Sequence, residues 1–418
     1  MVYQIDLPFN VKPSTIMHID LNSCFATIEQ QANPHLRGKP VAVAAYDSPG
    51  GCILAPSVEA KRLGIKVGMR VKEGRLLYPG LVVMLPDANK YRNVHLKLKN
   101  LLSNYTQKLI PKSIDEFVMD LEGYPAYSKG MFGLGKEIKA RIRQEVGEWL
   151  TVSVGIGPNR FLAKMAAGLK KPDGLDEISV SNYETTYDGL ELTDLTGIAR
   201  QNSARLNASG IHTVKDMYEA SLAKLWGAFH SINAYDWYLR LRGWEADDVD
   251  WGRKSFGNSY ALPKPYQTVG ELTPILSKLV EKMCFRLRKN GFACQGVHYA
   301  VSFRDGTHWH RGMKTEESFS ASSDIYKKIF KLFTKCPYKK PVRIMAVSVF
   351  NLISKNSLQL NLFTDNVKKD SLYEALDMIN ERWGNYVMTP ARMLNTSNNV
   401  TDRISFGGVK ELENFVIS

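Results

Sequence analysis

The sequence predicts a multidomain α+β fold, and three observations carry this prediction. Up to about residue 174, short apolar strand patterns alternate with helical patterns, as they do in mixed cores of helices and sheets. Residues 187–245 are then mostly helical in pattern, and beyond residue 262 two amphipathic helices accompany strand-like segments. The chain of 418 residues is long enough for about two to four such domains.

The first part of the chain supplies the alternating elements. Residues 14–22 form an apolar run that ends in polar residues, which is typical of a short buried strand. In residues 113–121 apolar side chains recur at every second position, which predicts the second arm of a β-hairpin. We also expect helices over 23–31, 89–110, 134–148 and 158–170, strands over 40–46 and 151–157, and a strand passing into a short helix over 53–64.

The second part of the chain has a different texture. After the helical stretch 187–245, residues 246–262 lack clear periodicity and are predicted to contain a linker. A small basic α+β domain follows, and the last twenty or so residues, rich in Asn, Ser and Thr, are predicted to be a tail. In that domain we expect helices over 269–291 and 322–335 and strands over 295–304, 341–351 and 357–362.

Charge is distributed unevenly along the chain. Residues 1–250 hold 30 basic and 28 acidic side chains, whereas residues 251–418 hold 25 basic and 14 acidic ones. A positive field of this kind favours a polyanionic partner, most often nucleic acid or an anionic membrane surface. A basic domain without any such partner remains an alternative at this point.

The cysteines and the hydropathy pattern indicate the compartment. Five cysteines at irregular spacing, without a CxxC pair, suit a reducing cytosol better than a disulfide framework or a zinc site. No apolar run approaches the length of a membrane span, and the N-terminus lacks the pattern of a signal peptide. We therefore expect a cytoplasmic protein without a membrane partner.

Three carboxylates occur in apolar segments, where burying a charged side chain is energetically unfavourable. Asp20 ends an apolar strand, and Asp115 and Glu116 are adjacent within a second apolar segment. Each could be an ordinary residue at a strand end or turn, but together they favour a cation site, because a divalent ion removes the repulsion between clustered carboxylates. Oxygen ligands favour Mg²⁺ or Mn²⁺ over zinc, and two such ions can activate a hydroxyl and steady a leaving pyrophosphate.

At these carboxylates the sequence resembles a known family. The segment DLNSCFATIE, residues 20–29, resembles the N-terminal signature of the Y-family, or translesion, DNA polymerases, and SIDE, residues 113–116, resembles their second catalytic motif. The resemblance continues in the same order through EAKRLG (59–64), VGIG (154–157) and KPDG (171–174). It covers essentially the whole chain, more loosely after residue 260, and it is of the bacterial UmuC and DinB type.

The resemblance implies the polymerase right hand: palm, small fingers, helical thumb with a helix-hairpin-helix, and a C-terminal α+β little finger. The implied boundaries are 1–23 and 89–180 for the palm, 24–88 for the fingers, 181–248 for the thumb, 249–260 for a linker, 261–395 for the little finger and 396–418 for a tail.

The resemblance also implies roles at the catalytic site. Asp20, Asp115 and Glu116, helped by the backbone carbonyl of Leu21, would hold two Mg²⁺ ions, with Mn²⁺ as a possible substitute. Phe25 would be the steric gate that excludes a ribose 2′-hydroxyl, although its residue type alone equally fits an ordinary core aromatic.

The incoming triphosphate would be bound by backbone amides and lysines. The implied amides are those of Ser23, Cys24 and Phe25 at a helix start, and the implied cations are Lys61 and Lys171.

The fingers depart from the commonest family pattern. Many members have Tyr and Arg where this chain has Val58 and Lys61, so one hydrogen bond and one bidentate fork are missing. The Glu-Ala-Lys spelling is more typical of the UmuC branch than of the DinB branch. Asn22 replaces an Asp found in many relatives, and it is not counted as a metal ligand.

Contacts with DNA are implied in the thumb and the little finger. Gly197 and Ile198 would lie in the hairpin, whose usual Gly-Ile-Gly is Gly-Ile-Ala here, and a plain turn is the alternative. His308 and His310 flank Trp309 on an expected strand, but no further ligands for a metal are evident. The candidate phosphate contacts of the little finger are Arg253, Lys254, Arg304, Arg311 and Lys314, with the backbone over 255–258.

A pentapeptide near the C-terminus resembles the bacterial motif that binds the sliding clamp. It consists of Gln359, Leu360, Asn361, Leu362 and Phe363. Leu and Phe anchors can fill an apolar groove while Gln fixes the orientation. The same residues could instead be a strand of the little finger.

The resulting functional hypothesis is a template-directed, low-fidelity translesion polymerase that acts in DNA damage tolerance. It would add dNTPs to a primer 3′-hydroxyl by two-metal transfer, on primer-template DNA in the nucleoid. A sliding clamp is the expected partner, and an accessory subunit is possible. The alternatives are a catalytically weak or silent DNA-binding scaffold and a two-metal nuclease or cyclase.

Overall fold

The structure is a computed structural model, and it describes residues 7–248, 252–357, 366–384, 386–397 and 399–400. The chain divides into two compact units, one up to Val249 and one over Asp250–Asp402. No helix in these described ranges combines the length and the apolar character that a bilayer span requires.

The first unit begins with alternating strands and helices, as the sequence predicts. In chain order these elements are β1 (Ile16–Leu21), α1 (Cys24–Ala32), β2 (Val41–Ala44), β3 (Ile53–Pro56), α2 (Val58–Arg62), α3 (Val71–Leu77), β4 (Val82–Met84), α4 (Ala88–Ser103), β5 (Leu109–Pro111), β6 (Glu116–Asp120), α5 (Met131–Arg141), β7 (Val152–Gly157), α6 (Arg160–Leu169) and β8 (Leu175–Glu177).

These strands form two sheets. The larger has the order β5-β6-β1-β7-β8, with β1 antiparallel to both of its neighbours, and we call it the palm sheet. The smaller has the order β3-β2-β4. Helix α6 packs very closely against β7 at Gly155. A Cβ at this position would lie 2.0 Å from the carbonyl oxygen of Ala163, which leaves no room for a side chain. Glycine at this position lets the helix seat directly against the strand.

Five short helices follow in the first unit, and they share one apolar core with Phe9 and with Phe161, Leu162, Met165 and Ala166 of α6. They are α7 (Tyr183–Asp188), α8 (Arg200–Ala208), α9 (Val214–Glu219), α10 (Leu222–Phe229) and α11 (Asn233–Leu241). The predicted helical texture of residues 187–245 is confirmed.

The second unit is a four-stranded antiparallel sheet of order β11-β10-β12-β9, which we call the little-finger sheet. Two of its helices, α12 and α13, contribute buried apolar residues to the core beneath it. The elements are β9 (Ser255–Tyr266), α12 (Val269–Lys289), β10 (Phe292–Phe303), β11 (His308–Phe319), α13 (Ser322–Phe333), β12 (Val342–Ser354) and α14 (Asn366–Trp383).

The structure corrects two expectations for this unit. The expected linker over 249–260 is wrong from Ser255 onward, because Phe256, Tyr260 and Leu262 alternate into the core as residues of β9. The alternation is hard to recognise in the sequence for two reasons. The outward-facing residues are small rather than charged, and one inward-facing position is the polar Asn258.

The expected tail over 396–418 is also wrong at its start. Thr396 is buried and its carbonyl accepts a hydrogen bond of 2.6 Å from the Lys278 ammonium, and Val400 packs into the core. Helix α14 was not predicted at all. Residues 401–418 lie outside the described residues, as do residues 358–365 with most of the predicted strand 357–362.

Candidate active site

The three carboxylates meet at one end of the palm sheet. Asp20 lies directly opposite Glu116 in the pairing of β1 with β6, and Asp115 immediately precedes β6. The backbone amide of Leu21 donates a 2.9 Å hydrogen bond to the carbonyl of Asp115, which ties the two segments together. The two apolar segments that carry these acids are therefore neighbours in the palm sheet.

Each carboxylate has a donor of its own. The ammonium of Lys171 lies 2.5 Å from Asp20, and that of Lys164 lies 2.8 and 3.0 Å from the two oxygens of Glu116. The Ser113 hydroxyl donates a 2.5 Å hydrogen bond to Asp115. Lys164 was missed in the sequence, because a lysine on an amphipathic helix carries no signal of what it faces.

Burial is the main influence on the two aspartates. It raises the pKa of Asp115 to about 6, against the hydrogen bond from Ser113, which lowers it. It also raises the pKa of Asp20, with Lys171 opposing the change. Buried carboxylates that also repel one another are the arrangement that a bound cation stabilises.

A buried histidine lies beside these acids and was also missed. His18 lies two residues before Asp20 on β1, and its Nε2 is 3.9 Å from Glu116. Burial lowers its pKa to about 3, which favours the neutral ring, and within the described part of the chain neither ring nitrogen has a hydrogen-bond partner. Ligand atoms of His18, Asp20 and Glu116 lie within 4.8 Å of one another. The period of two along β1 was the signal that could have found it.

A cleft of about 440 Å³ opens over this end of the sheet. Asp20 and Asp115 line it, together with Leu21, Ser23, Cys24, Val58, Lys61 and Lys171. The donor set fits a hard divalent cation, because the carboxylates supply oxygen ligands that Mg²⁺ and Mn²⁺ accept. Since Lys61 and Lys171 line the same cleft, they can also offer positive charge to an anionic ligand.

The start of α1 lines the cleft as well. Ser23 adopts a left-handed conformation with φ of 50°, and no side chain caps the nine-residue helix that follows. Phe25 lies one residue beyond Cys24, and its ring is 1% exposed and stacks on Tyr91 with centroids 4.2 Å apart. This packing fixes the position of the ring, and Phe25 itself is not among the residues that line the cleft.

Asn22 has a structural role that the sequence did not reveal. Its side-chain amide donates to the hydroxyl of Ser153, and its oxygen accepts from the backbone amide of Asp173. These bonds hold the loop that carries Lys171 against β1 and β7. Both polar ends of the Asn22 side chain are therefore hydrogen-bonded to other groups of the protein.

The predicted thumb hairpin forms a tight turn. Gly197 has φ of +105°, a conformation that favours glycine, and the amide of Ile198 donates to the carbonyl of Leu195 at 2.9 Å. The element before the turn is a single 3₁₀ turn over Leu192–Asp194 rather than a longer helix.

The basic residues of the little finger do not converge on one site. Arg311 pairs with the buried Tyr299, whereas Lys314 pairs with Gly296 three positions along β11, so these two lie on opposite faces of the sheet. Arg304 lies in the turn between β10 and β11. Arg253 stacks over the ring of Phe256 at 4.4 Å.

Lys254 is exposed, immediately before β9. The clamp pentapeptide, residues 359–363, lies outside the described residues.

Comparisons with known proteins agree with this geometry. The family model described as impB/mucB/samB matches residues 19–168, and the model of its C-terminal domain matches residues 253–362. A DNA polymerase IV of Pelotomaculum thermopropionicum is 31% identical over 391 residues, covering 91% of this chain and 96% of that protein. DNA polymerase IV 2 of Bacillus subtilis is also 31% identical, over 94% of this chain and 98% of its own length.

Solved structures show the same fold. A Y-family polymerase chimera of Dbh with a Dpo4 segment matches with a TM-score of 0.71 at 24% identity, over 81% of this chain and 99% of that one. An insertion ternary complex of Dbh DNA polymerase matches with a TM-score of 0.56 at the same identity and coverage. The carboxylate site, the curated relatives and the shared fold lead to one conclusion: the chain belongs to the impB/mucB/samB family and is a Y-family, translesion-type DNA-directed DNA polymerase.

Proposed function

We propose that this polymerase extends a primer 3′-hydroxyl with dNTPs by two-metal nucleotidyl transfer, with low fidelity and in DNA damage tolerance. Asp20, Asp115 and Glu116, with the carbonyl of Leu21, would hold two Mg²⁺ ions, and Mn²⁺ could replace them. The observation that carries the proposal is the meeting of three carboxylates at one sheet end beside a cleft lined by lysines. When bound, the ions would lower the pKa of the attacking hydroxyl and neutralise the leaving pyrophosphate.

The chain's own residues would bind and orient the triphosphate. The amides of Ser23, Cys24 and Phe25 lie at the start of α1, where a helix N-terminus favours phosphate. Lys171, which pairs with Asp20 in the free protein, would donate to the triphosphate instead, and Lys61 would add a second positive charge. Burial and Lys171 lower the pKa of Lys61, so an arriving polyanion would stabilise its charged form.

Phe25 would select deoxyribose over ribose. Its ring is fixed by stacking on Tyr91, and a rigid wall discriminates by shape better than a mobile one. A ribose 2′-hydroxyl that points at the Phe25 ring would clash with the ring carbons.

DNA would be bound by the thumb and the little finger. The amides around Gly197 and Ile198 would contact a backbone phosphate, and Arg253, Lys254, Arg304 and Arg311 would contribute to the basic little finger. We assign the palm to residues 1–23 and 89–180, the fingers to 24–88, the thumb to 181–248 and the little finger to the unit that contains β9 to β12. Residues 359–363 would bind a sliding clamp. An accessory subunit and a place in the nucleoid complete the proposal.

Primer extension tests the proposal directly. The wild type and the Asp115→Ala/Glu116→Ala variant would be given an undamaged primer-template, Mg²⁺ and dNTPs. We expect extension by the wild type alone, with DNA binding retained by both proteins. Intact DNA binding without extension by either protein would favour the scaffold function. Degradation of the primer would favour a nuclease.

A further inference from the structure

Two histidines on neighbouring strands of the little-finger sheet meet on its exposed face. In the pairing of β10 with β11, His298 lies opposite Gly312 and His310 lies opposite Ala300, so the two rings are diagonal neighbours. Nε2 of His298 is 3.4 Å from Nδ1 of His310, and the ring centroids are 5.5 Å apart. The sequence had shown His308 and His310 without a further ligand, and the fold supplies His298 from the adjacent strand.

His310 is exposed to solvent and His298 is partly buried. The positions directly opposite the two histidines on the neighbouring strands carry small side chains or none, whereas the ring of Phe350 lies over Gly296 beside His298. Along the row of His298 the residues are Gly257, Ser348 and Gly312, and along the row of His310 they are Ser259, Ala346 and Ala300. Trp309 lies on the opposite side of β11 and packs against the core. The side chains directly across from the two imidazoles therefore leave room for a third group on this face.

We propose that His298 and His310 form a binding site for Zn²⁺ on the exposed face of the little-finger sheet. Imidazole nitrogen is a preferred ligand of zinc and a poor ligand of Mg²⁺, so this site would be chemically distinct from the one in the palm. Water would fill the remaining positions, because no other His, Cys, Asp or Glu of the described ranges joins the pair in a metal-binding group. The proposal does not depend on the polymerase mechanism.

In the free protein the two ring nitrogens are close enough for a hydrogen bond to each other, and their spacing also suits the tetrahedral angle of a zinc ion that would replace this contact. With Zn–N bonds of about 2.0–2.1 Å, two nitrogens 3.4 Å apart subtend an angle of about 110° at the ion. A square-planar ion such as Cu²⁺ would need the nitrogens at about 90°, which is roughly 2.9 Å apart for the same bond length. Burial and the neighbouring ring of His310 also lower the pKa of His298, which keeps its nitrogen available to a metal at neutral pH.

Metal titration of the full-length protein tests the site. Zn²⁺ would be titrated calorimetrically in excess Mg²⁺ into the wild type, His298→Gln, His310→Gln and the double variant. Each single variant should lower the affinity of one site by at least about tenfold, because half of its protein ligands are lost. The double variant should bind one Zn²⁺ fewer per chain. Zinc held by the palm carboxylates would remain in all four proteins, so the difference between them isolates the proposed site.

A control and a spectrum make the outcome decisive. His308→Gln removes an exposed histidine two residues from His310 on the same strand, and it should leave the titration unchanged. Co²⁺ in place of Zn²⁺ should give visible absorption of tetrahedral intensity in the wild type, and that absorption should weaken in the double variant. Equal zinc stoichiometry in the wild type and the double variant would overturn the proposal. An equal loss of affinity in His308→Gln would also overturn it.

Discussion

The palm sheet and the little-finger sheet place their charges in different ways. In the palm, Asp20 and Glu116 face each other across two buried strands and each is paired with a lysine. In the little finger, Arg311 and Lys314 lie on opposite faces of an exposed edge strand. The palm thus concentrates charge at one point, where each carboxylate has a donor of its own. The little finger instead spreads its basic side chains over both faces of a sheet and the turn beside it.

The largest effect that this comparison predicts is on the palm carboxylates. Asp20→Asn and Asp115→Asn should each lower kcat of primer extension by at least about a thousandfold, because each removes a negative ligand that no neighbour can replace. Single-turnover extension in Mg²⁺ would measure the loss. If either variant kept activity within about tenfold of the wild type, the palm carboxylates would be no more critical individually than the dispersed charges of the little finger.

The second effect concerns sugar selection. Phe25→Ala should raise ribonucleotide incorporation relative to deoxyribonucleotide incorporation by roughly tenfold to a hundredfold, as expected when a shape-selective wall is lost. Competition between matched rNTP and dNTP would measure the ratio. Because Phe25 is buried, Phe25→Leu serves as the control that keeps most of the volume. If a folded Phe25→Ala protein selected dNTP over rNTP as strongly as the wild type does, Phe25 would have only a packing role.

Two adjacent lysines test whether the position of a charge matters within the palm itself. Lys171→Met should raise KM for dNTP by about tenfold, because a charge-assisted hydrogen bond to the triphosphate is lost. Lys170→Met is the matched control, since Lys170 pairs with Asp176 at 2.6 Å and its side chain is 76% exposed. Steady-state kinetics on one template would measure both. Equal effects of the two substitutions would show that bulk charge, rather than position, matters here.

The smallest effects are expected in the little finger. Arg304→Ala, Arg311→Ala and Lys314→Ala should each weaken DNA binding by only about twofold to fivefold and reduce the salt dependence by about one unit of log–log slope. Binding measured at several salt concentrations would test this. A single substitution that abolished binding would mean that the little finger has a concentrated site after all.

The sequence predicted the parts of the molecule in which chemistry and backbone position are linked. Asp20 and Glu116 were found because acids in apolar strands are costly, whereas their direct pairing across β1 and β6 is visible only in the structure. His18 could have been found from its place two residues before Asp20 on the same strand. Lys164 was missed because its use depends on which group faces it across the helix and the sheet, and no local pattern carries that information. Similarly, β9 escaped prediction because its inward residues alternate with Gly, Ser and Ala.

The fold of the second unit was predicted less completely for a similar reason. Helix α14 is held to its unit largely by ion pairs, such as Asp377 with Arg288 and Glu381 with Lys289, rather than by an apolar stripe. The hydrophobic period, which is the main sequence signal for a helix, is therefore weak there. The buried positions of Thr396 and Val400 depend on tertiary contacts alone.

The pairing of Lys164 and Lys171 with the palm carboxylates has a consequence for how the enzyme would be switched on. In the free protein these ammonium groups act as counterions of Asp20 and Glu116, whereas Asp115 has only the Ser113 hydroxyl. At the proposed site a divalent ion alone would have to displace them, whereas a metal–nucleotide complex would bring the cation for Asp20 and the anion for Lys171 together. Loading by the complete substrate would thus be a charge exchange, and the idle enzyme would hold its ions weakly.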